Sequence, residues 1–446
     1  MANNYVLLER IELNASAASI TFSNIPQTGY TDLKIVASVR DDYASVSVNL
    51  GIKLNGVTTG LTGRNINGSG SAANSGTNTS EIGFTDGSSA TANTFSSTEV
   101  YIPNYTSSNY KSYSADSVSE SNQTAVYMQM LAGLWSNTAA ITSITVYPIN
   151  ATNFVANSTF SLYGIAAYGT TPTAAPKADG GNIIATDGTY WYHAFLSNGT
   201  FTPQTSLSAD VLVVAGGGGG GYSAGGGGGA GGVFASNSNS LPIGNYTVTV
   251  GAGGTGSSTE AVTGSGTNSS ITGLTAAVGG GGGGVRTAGA QINPSTGGSG
   301  GGGAGTSSGT PTGAAGTSGQ GNAGGNGTVA YSGGGGGGVG SAGANAASAG
   351  SGGAGGAGGA GANTWSTWAT ATGTGVSGFY AGGGGGGAFT YATAGGAGSG
   401  GGGAGSNSTN GANGTVNTGG GAGGGKNASS GGNGGSGIVI IRYLVA

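Results

Sequence analysis

Along residues 1–169, apolar and polar positions alternate in short runs. The clearest is Asp32-Leu33-Lys34-Ile35-Val36-Ala37-Ser38-Val39-Arg40. A period of two puts Leu33, Ile35, Ala37 and Val39 on one face of a strand. Residues 45–54 alternate again and end at Asn55-Gly56, a dipeptide suited to a tight hairpin turn. Further strand-like runs cover 5–13, 19–25, 95–102, 110–118, 126–134, 141–147 and 159–168. Residues 60–80, rich in Gly, Ser and Asn, are expected to form a long loop. No stretch keeps a helical period. Many short strands between turn signals predict an antiparallel β-sandwich or jelly roll over 1–169.

The pattern then changes. Residues 170–181, with Pro172 and Pro176 among small residues, read as a short semi-rigid linker. The aromatic run Thr189-Tyr190-Trp191-Tyr192-His193-Ala194-Phe195 lies between the turn dipeptides Asp187-Gly188 and Asn198-Gly199, as in a hairpin meander. Residues 245–250 alternate as another strand. Val211-Leu212-Val213-Val214-Ala215 runs straight into six glycines, 216–221, and Ile438-Val439-Ile440-Ile441 closes the region. Between them lie glycine blocks at 225–229, 279–284, 300–303, 333–338, 382–387 and 400–403.

Of the 106 glycines, 93 lie from Gly180 onward. Blocks exclude collagen, which needs glycine at every third position. A flexible Gly/Ser linker has no reason to begin and end in matched apolar runs. The remaining reading is packed polyglycine-II helices, with three residues per turn and no internal hydrogen bonds. Their outward N–H and C=O groups must pair with neighbouring helices. The predicted fold is therefore mostly β. An N-terminal sandwich (1–169) and a linker (170–181) precede a glycine-rich domain (182–446), in which a short β frame encloses the helix lattice.

Charge and chemistry narrow the function. Net charge is −4 and charged residues make up 5% of the chain, which argues against a nucleic-acid surface. From Gly216 to Gly437 only Glu260, Arg286 and Lys426 are charged. The N-terminus shows no signal-peptide pattern, and no run of about 18 apolar residues predicts a membrane span. No cysteine and a single histidine, His193, leave no thiolate site, His–His metal pair or Ser–His–Asp triad. His193 is expected to be an ordinary strand residue. Asp41-Asp42 and the pair Glu9/Glu12 are expected to be solvated turn and strand-face residues. Lys426 and Arg442 are expected to be solvated or capping charges. Gly425-Lys426 mimics a phosphate loop but is followed by Asn427 and has no strand–loop–helix context. Catalytic, cofactor and metal sites are not expected, and neither is enzymatic activity.

The informative segments lie between glycine blocks. Trp365, Trp368, Phe379, Tyr380, Phe389 and Tyr391 gather in one stretch, and Arg286 stands in another. These are the candidate receptor-binding residues, since Trp and Tyr dominate binding hot spots. The same aromatics could equally cap the lattice.

Residues 1–169 resemble a module of bacteriophage virion proteins. The resemblance rests on Ser19-Ile20-Thr21-Phe22-Ser23-Asn24-Ile25-Pro26, Tyr30-Thr31-Asp32-Leu33, Val100-Tyr101-Ile102-Pro103-Asn104-Tyr105, the stretch 133–142 and the stretch 158–165. Residues 189–443 resemble a glycine-rich domain of phage tail and bacterial surface proteins. The marks are His193-Ala194-Phe195, Gly199-Thr200-Phe201, 210–221, 244–254 and 435–443. The block-and-segment plan is also similar, more distantly, to glycine-rich distal adhesins of T-even-type phages. The resemblance implies a tail-fibre or appendage adhesin on the virion surface. Its N-terminal module would serve attachment to other virion proteins, and its glycine-rich domain would bind a host glycan or outer-membrane protein. Homotrimers are common among such fibres. A capsid or tail decoration fibre, and a bacterial surface adhesin, are the alternatives. Neither nucleic acid nor membrane insertion is implied.

Overall fold

The computed structural model describes residues 5–123, 126–150, 152–167, 174–287, 291–309, 311–347, 353–389 and 392–445. The chain divides into two compact units, 1–176 with 182–191 and 444–446, and 177–181 with 192–443.

The first unit contains β1 (Tyr5–Glu12), β2 (Ile20–Phe22), β3 (Tyr30–Val39), β4 (Ser47–Leu54), β5 (Leu61–Gly68) and β6 (Ala73–Asn78). It continues with β7 (Glu81–Asp86), β8 (Ser96–Ile102), β9 (Lys111–Ser119), β10 (Tyr127–Trp135), β11 (Ile144–Pro148) and β12 (Thr159–Ala166). One sheet runs β1-β12-β3-β8-β9-β10-β5-β6 and the other β2-β11-β4-β7. Set aside the hairpins β5-β6 and β9-β10, and the remaining eight strands read β1-β12-β3-β8 over β2-β11-β4-β7. That is the jelly-roll order of two Greek keys. The hairpins widen the first sheet at its β8 edge.

Alternation builds this core. Leu33, Ile35, Ala37 and Val39 all face inward, as the period of two requires. They pack with Leu50, Ile52, Ile144, Val146, Phe160 and Leu162 in one cluster. The expected hairpin turn is present, with Asn55 and Gly56 both at positive φ (52° and 77°). Residues 60–80, however, are not a loop. They form the hairpin β5-β6, paired from Gly63↔Asn78 to Gly68↔Ala73. The inward positions of β5 include Gly63 and Asn65, while Ile66 faces out, so the apolar alternation that marks a strand is missing. Two expected solvated carboxylates are buried instead: Asp41, and Glu9 beside a bulge in β1. The β1 bulge shifts the register between Leu7 and Glu9. Burial pushes the Glu9 carboxyl up to about 8. Ile183–Thr186 pairs with β1, which is why part of the segment after the linker packs with the first unit.

In the second unit, Leu207–Val214 lies between Val233–Leu241 and Ile438–Leu444, antiparallel to both. The two apolar runs therefore sit side by side as expected, with Val211 opposite Ile441 and Val214 opposite Ile438. All eight of their side chains are fully buried.

Beyond this frame the glycine blocks form a hexagonal lattice. In block 216–221 the donor direction rotates with a period of three. Gly216 and Gly219 donate to Thr267 and Gly264, Gly217 and Gly220 to Gly435 and Gly432, and Gly218 and Gly221 to Gly229 and Gly226. Falling partner numbers mark three antiparallel neighbours. The carbonyls of the same six residues accept from three parallel neighbours, at Gly280 and Gly283, Gly254 and Ser257, and Ala422 and Gly425. These bonds measure 2.8–3.1 Å. Every backbone group of the central helix is thus paired with one of six surrounding helices, the condition for burying polyglycine. Side chains have no room: a Cβ on Gly220 would lie 1.9 Å from the Gly423 carbonyl oxygen, and one on Gly335 2.0 Å from that of Ala357.

Candidate functional site at the lattice tip

Block 216–221 leaves the frame at Val214 and ends at Tyr222. Blocks 279–284, 382–387 and 419–425 run in the same direction and end at Arg286, Phe389 and Lys426, while Tyr331 precedes the oppositely directed block 333–338. Six residues at about 3.1 Å each place these ends roughly 19 Å from the frame. All five residues therefore converge on one tip.

There the Arg286 guanidinium sits 4.6 Å from the Tyr331 ring centroid and 5.8 Å from that of Phe389. The two rings are 5.2 Å apart and inclined at 43°. Arg286 Nη1 donates to Asn427 Oδ1 at 2.8 Å, an oxygen that also accepts from Ser223 Oγ at 3.2 Å. Arg286 Nε is buried without a hydrogen-bond partner among the described residues. The backbone N–H of Arg286 donates to the Tyr222 carbonyl. Glu260 belongs to the neighbouring turn, because Ser257 at its start bonds to Gly220. Glu260, Arg286 and Lys426, the only charges between Gly216 and Gly437, thus all fall at the tip. Val262 and Val329 are exposed there. A guanidinium set against a pair of rings is attracted to their negative faces. The ensemble offers stacking surfaces, cationic donors and an amide, which suits recognition rather than proton transfer.

Of the sequence candidates, Arg286 and Phe389 meet at this tip. Tyr391 lies outside the described residues. The other four belong to the opposite, frame-proximal end. Trp368 lies on the helix Ser366–Thr372, which ends at Gly373 in the left-handed region. It is buried, 4.4 Å under the Arg442 guanidinium and edge-on to Tyr192 at 6.2 Å. Tyr380 is fully buried and its hydroxyl bonds to Thr374 Oγ1 at 2.6 Å; burial raises its pKa to about 12. Trp368 and Tyr380 are therefore core residues rather than contact residues. They fill the volume that a glycine lattice cannot fill with side chains of its own. Trp365, at the helix N-cap, and Phe379 are half-buried. Arg442 is not a solvated charge either, since it pairs with Asp210 at 3.0 Å.

Tyr331, Tyr222 and Asn427 were not singled out from the sequence. The signal was available: each flanks a glycine block at the end that points away from the frame.

The first unit carries a separate open groove of about 760 Å³ on the outer face of its larger sheet, lined by Tyr5, Lys34, Arg64, Ile66, Tyr101 and Met130. Ile66 stands opposite Met130 across β5 and β10, and both are 62% exposed.

The model of a glycine-rich domain family matches residues 196–444. No curated protein and no solved structure matches the chain.

Proposed function

We propose, from the premise that this chain belongs to the glycine-rich domain family, that it is an adhesin of a bacteriophage appendage that presents its lattice tip to the host surface. The carrying observation is the gathering of Arg286, Tyr331 and Phe389, with every charge of the region, on one end of a hydrogen-bonded scaffold. Loops on a rigid scaffold are where binding residues concentrate. Aromatic faces stack on sugar rings, and the guanidinium and amide supply donors and an acceptor to hydroxyls. A host glycan is the preferred ligand class, and an outer-membrane protein loop is the alternative. The exposed patch of Ile66, Met128 and Met130 on the first unit fits attachment to other virion proteins, since contiguous exposed apolar surface marks interaction sites.

The second reading is a decoration fibre without a receptor. Burial of Trp368 and Tyr380 favours it, because those aromatics serve the core. The two readings separate in a blocking experiment. Host cells preincubated with the purified chain are challenged with virions, and adsorption is counted. An adhesin reduces adsorption in proportion to the chain added; a decoration fibre leaves it unchanged.

A further inference from the structure

In the larger sheet of the first unit, β6 is the last strand at its end. One side of β6 pairs with β5, from Ala73 to Asn78. On its other side every second residue turns its N–H and C=O away from the sheet, and no strand or backbone group among the described residues pairs with them. Natural sheets protect such an edge with lysine, proline or a bulge. Here residues 65–80 contain no charge and no proline, and the β5-β6 register runs without a shift. Residues 73–77 are all exposed.

The inward face of the hairpin points to the same edge. Asn65 stands opposite Gly76, and Asn78 opposite Gly63. Each amide leans over the glycine across from it. A Cβ on Gly76 would lie 2.8 Å from Asn65 Oδ1, and one on Gly63 would strike Asn78 Oδ1. Asn65 is only 9% exposed. Its Oδ1 and both amide atoms of Asn78 are buried without a hydrogen-bond partner among the described residues. The same holds for Asn67 Oδ1 and for both amide atoms of Gln129, which stands opposite Asn67. Buried amides without partners are costly.

An occupant of this edge has to pair with a strand and bring amide groups to the inward face. A second copy of β6 does both. Two β6 strands related by a two-fold axis at Gly76 run antiparallel. Asn74 then falls opposite the partner's Asn78 on the inward face, and Ser75 opposite the partner's Thr77 on the outer face. An amide is both donor and acceptor, so Asn74 can serve both atoms of the partner's Asn78. No like charges meet across the contact. A two-fold contact of this kind is self-complementary and closes at a dimer.

We propose that β6 is a self-association edge, through which two copies of the chain pair β6 to β6 and join their larger sheets into one.

The test is analytical ultracentrifugation of the full chain from micromolar to submillimolar concentration. One strand from each copy makes a small contact, so the expected result is a weak dimer that forms as the concentration rises. Ser75→Lys with Thr77→Lys sets lysine opposite lysine and should weaken the dimer at least about tenfold. Ser75→Glu with Thr77→Glu should do the same with the opposite sign. Both positions are exposed, and an equimolar mixture of the two double variants should recover the dimer, which separates lost pairing from lost folding. A wild-type chain that stays monomeric throughout would overturn the proposal. So would a lysine variant that dimerises like the wild type, or a mixture that stays monomeric.

Discussion

The Tyr443 hydroxyl lies 3.0 Å from Nε2 of His193, 250 residues earlier in the chain. The other ring nitrogen, Nδ1, is 2.6 Å from the Gly180 carbonyl oxygen. A carbonyl only accepts, so Nδ1 carries the proton and Nε2 accepts from Tyr443. The Lys177 N–H donates to the same hydroxyl. This neutral histidine thereby joins the first residues of the second unit to its last strand. His193 is fully buried, and that burial pushes its pKa down to about 4.

A pH dependence follows. Between about 4 and 6.5 the unfolded chain holds a proton on His193 that the folded chain does not. Stability is therefore complete above pH 6.5 and falls as the pH drops through that window, by on the order of 3 kcal/mol at its lower end. Melting curves from pH 7 to 4 should show this slope, and His193→Gln should flatten it. An unchanged slope in the variant would remove His193 as its source.

Glu9 behaves oppositely. Its folded pKa is raised to about 8, so its contribution is fully present below about pH 4.5 and is lost as the pH rises towards 8. Glu9→Gln keeps the shape without the charge. It is expected to be more stable than wild type at pH 8 and no more stable at pH 4. Equal melting temperatures at pH 8 would contradict the burial argument.

Gly335 packs against the backbone at Ala357. Gly335→Val must therefore displace a neighbouring helix, at a cost at or above the roughly 1–3 kcal/mol of ordinary overpacking. Gly396 has open space where a Cβ would go, and Gly396→Ala should melt like wild type. Thermal unfolding of the two variants separates a packed lattice from a disordered glycine chain, which would be indifferent to both changes.

Trp368→Ala should destabilise the chain by about 3–5 kcal/mol, the range for deleting a large buried aromatic. It also leaves Arg442 without the ring beneath it. Trp365→Ala, at a half-buried position, should cost clearly less. Denaturant midpoints for the pair decide whether this segment is core, as its burial implies, or a contact surface.

Much of the architecture was legible because it rests on local periodicity. Leu33 to Val39 announced a strand, and Val211 to Val214 with Ile438 to Ile441 announced a frame around the glycine blocks. The hairpin β5-β6 escaped because Gly63 and Asn65 occupy inward positions that apolar residues usually hold. Neighbour identity in the lattice was not legible at all. One glycine block is chemically identical to the next, so nothing local says that Gly218 bonds to Gly229. The site was half legible for the same reason. Composition drew attention to the aromatic-rich stretch from Trp365 onward, yet what brings Arg286, Tyr331 and Phe389 together is the direction in which each block runs.

The most direct measurement is adsorption of virions carrying the double variant Arg286→Ala, Tyr331→Ala. Loss of hot-spot anchors costs at least about 2 kcal/mol, roughly a thirtyfold loss of affinity. The proposed function predicts adsorption reduced by that order, with the melting temperature close to wild type and the defect only weakly changed by salt. Undiminished adsorption by a folded double variant would contradict the claim that the tip is the host-binding surface.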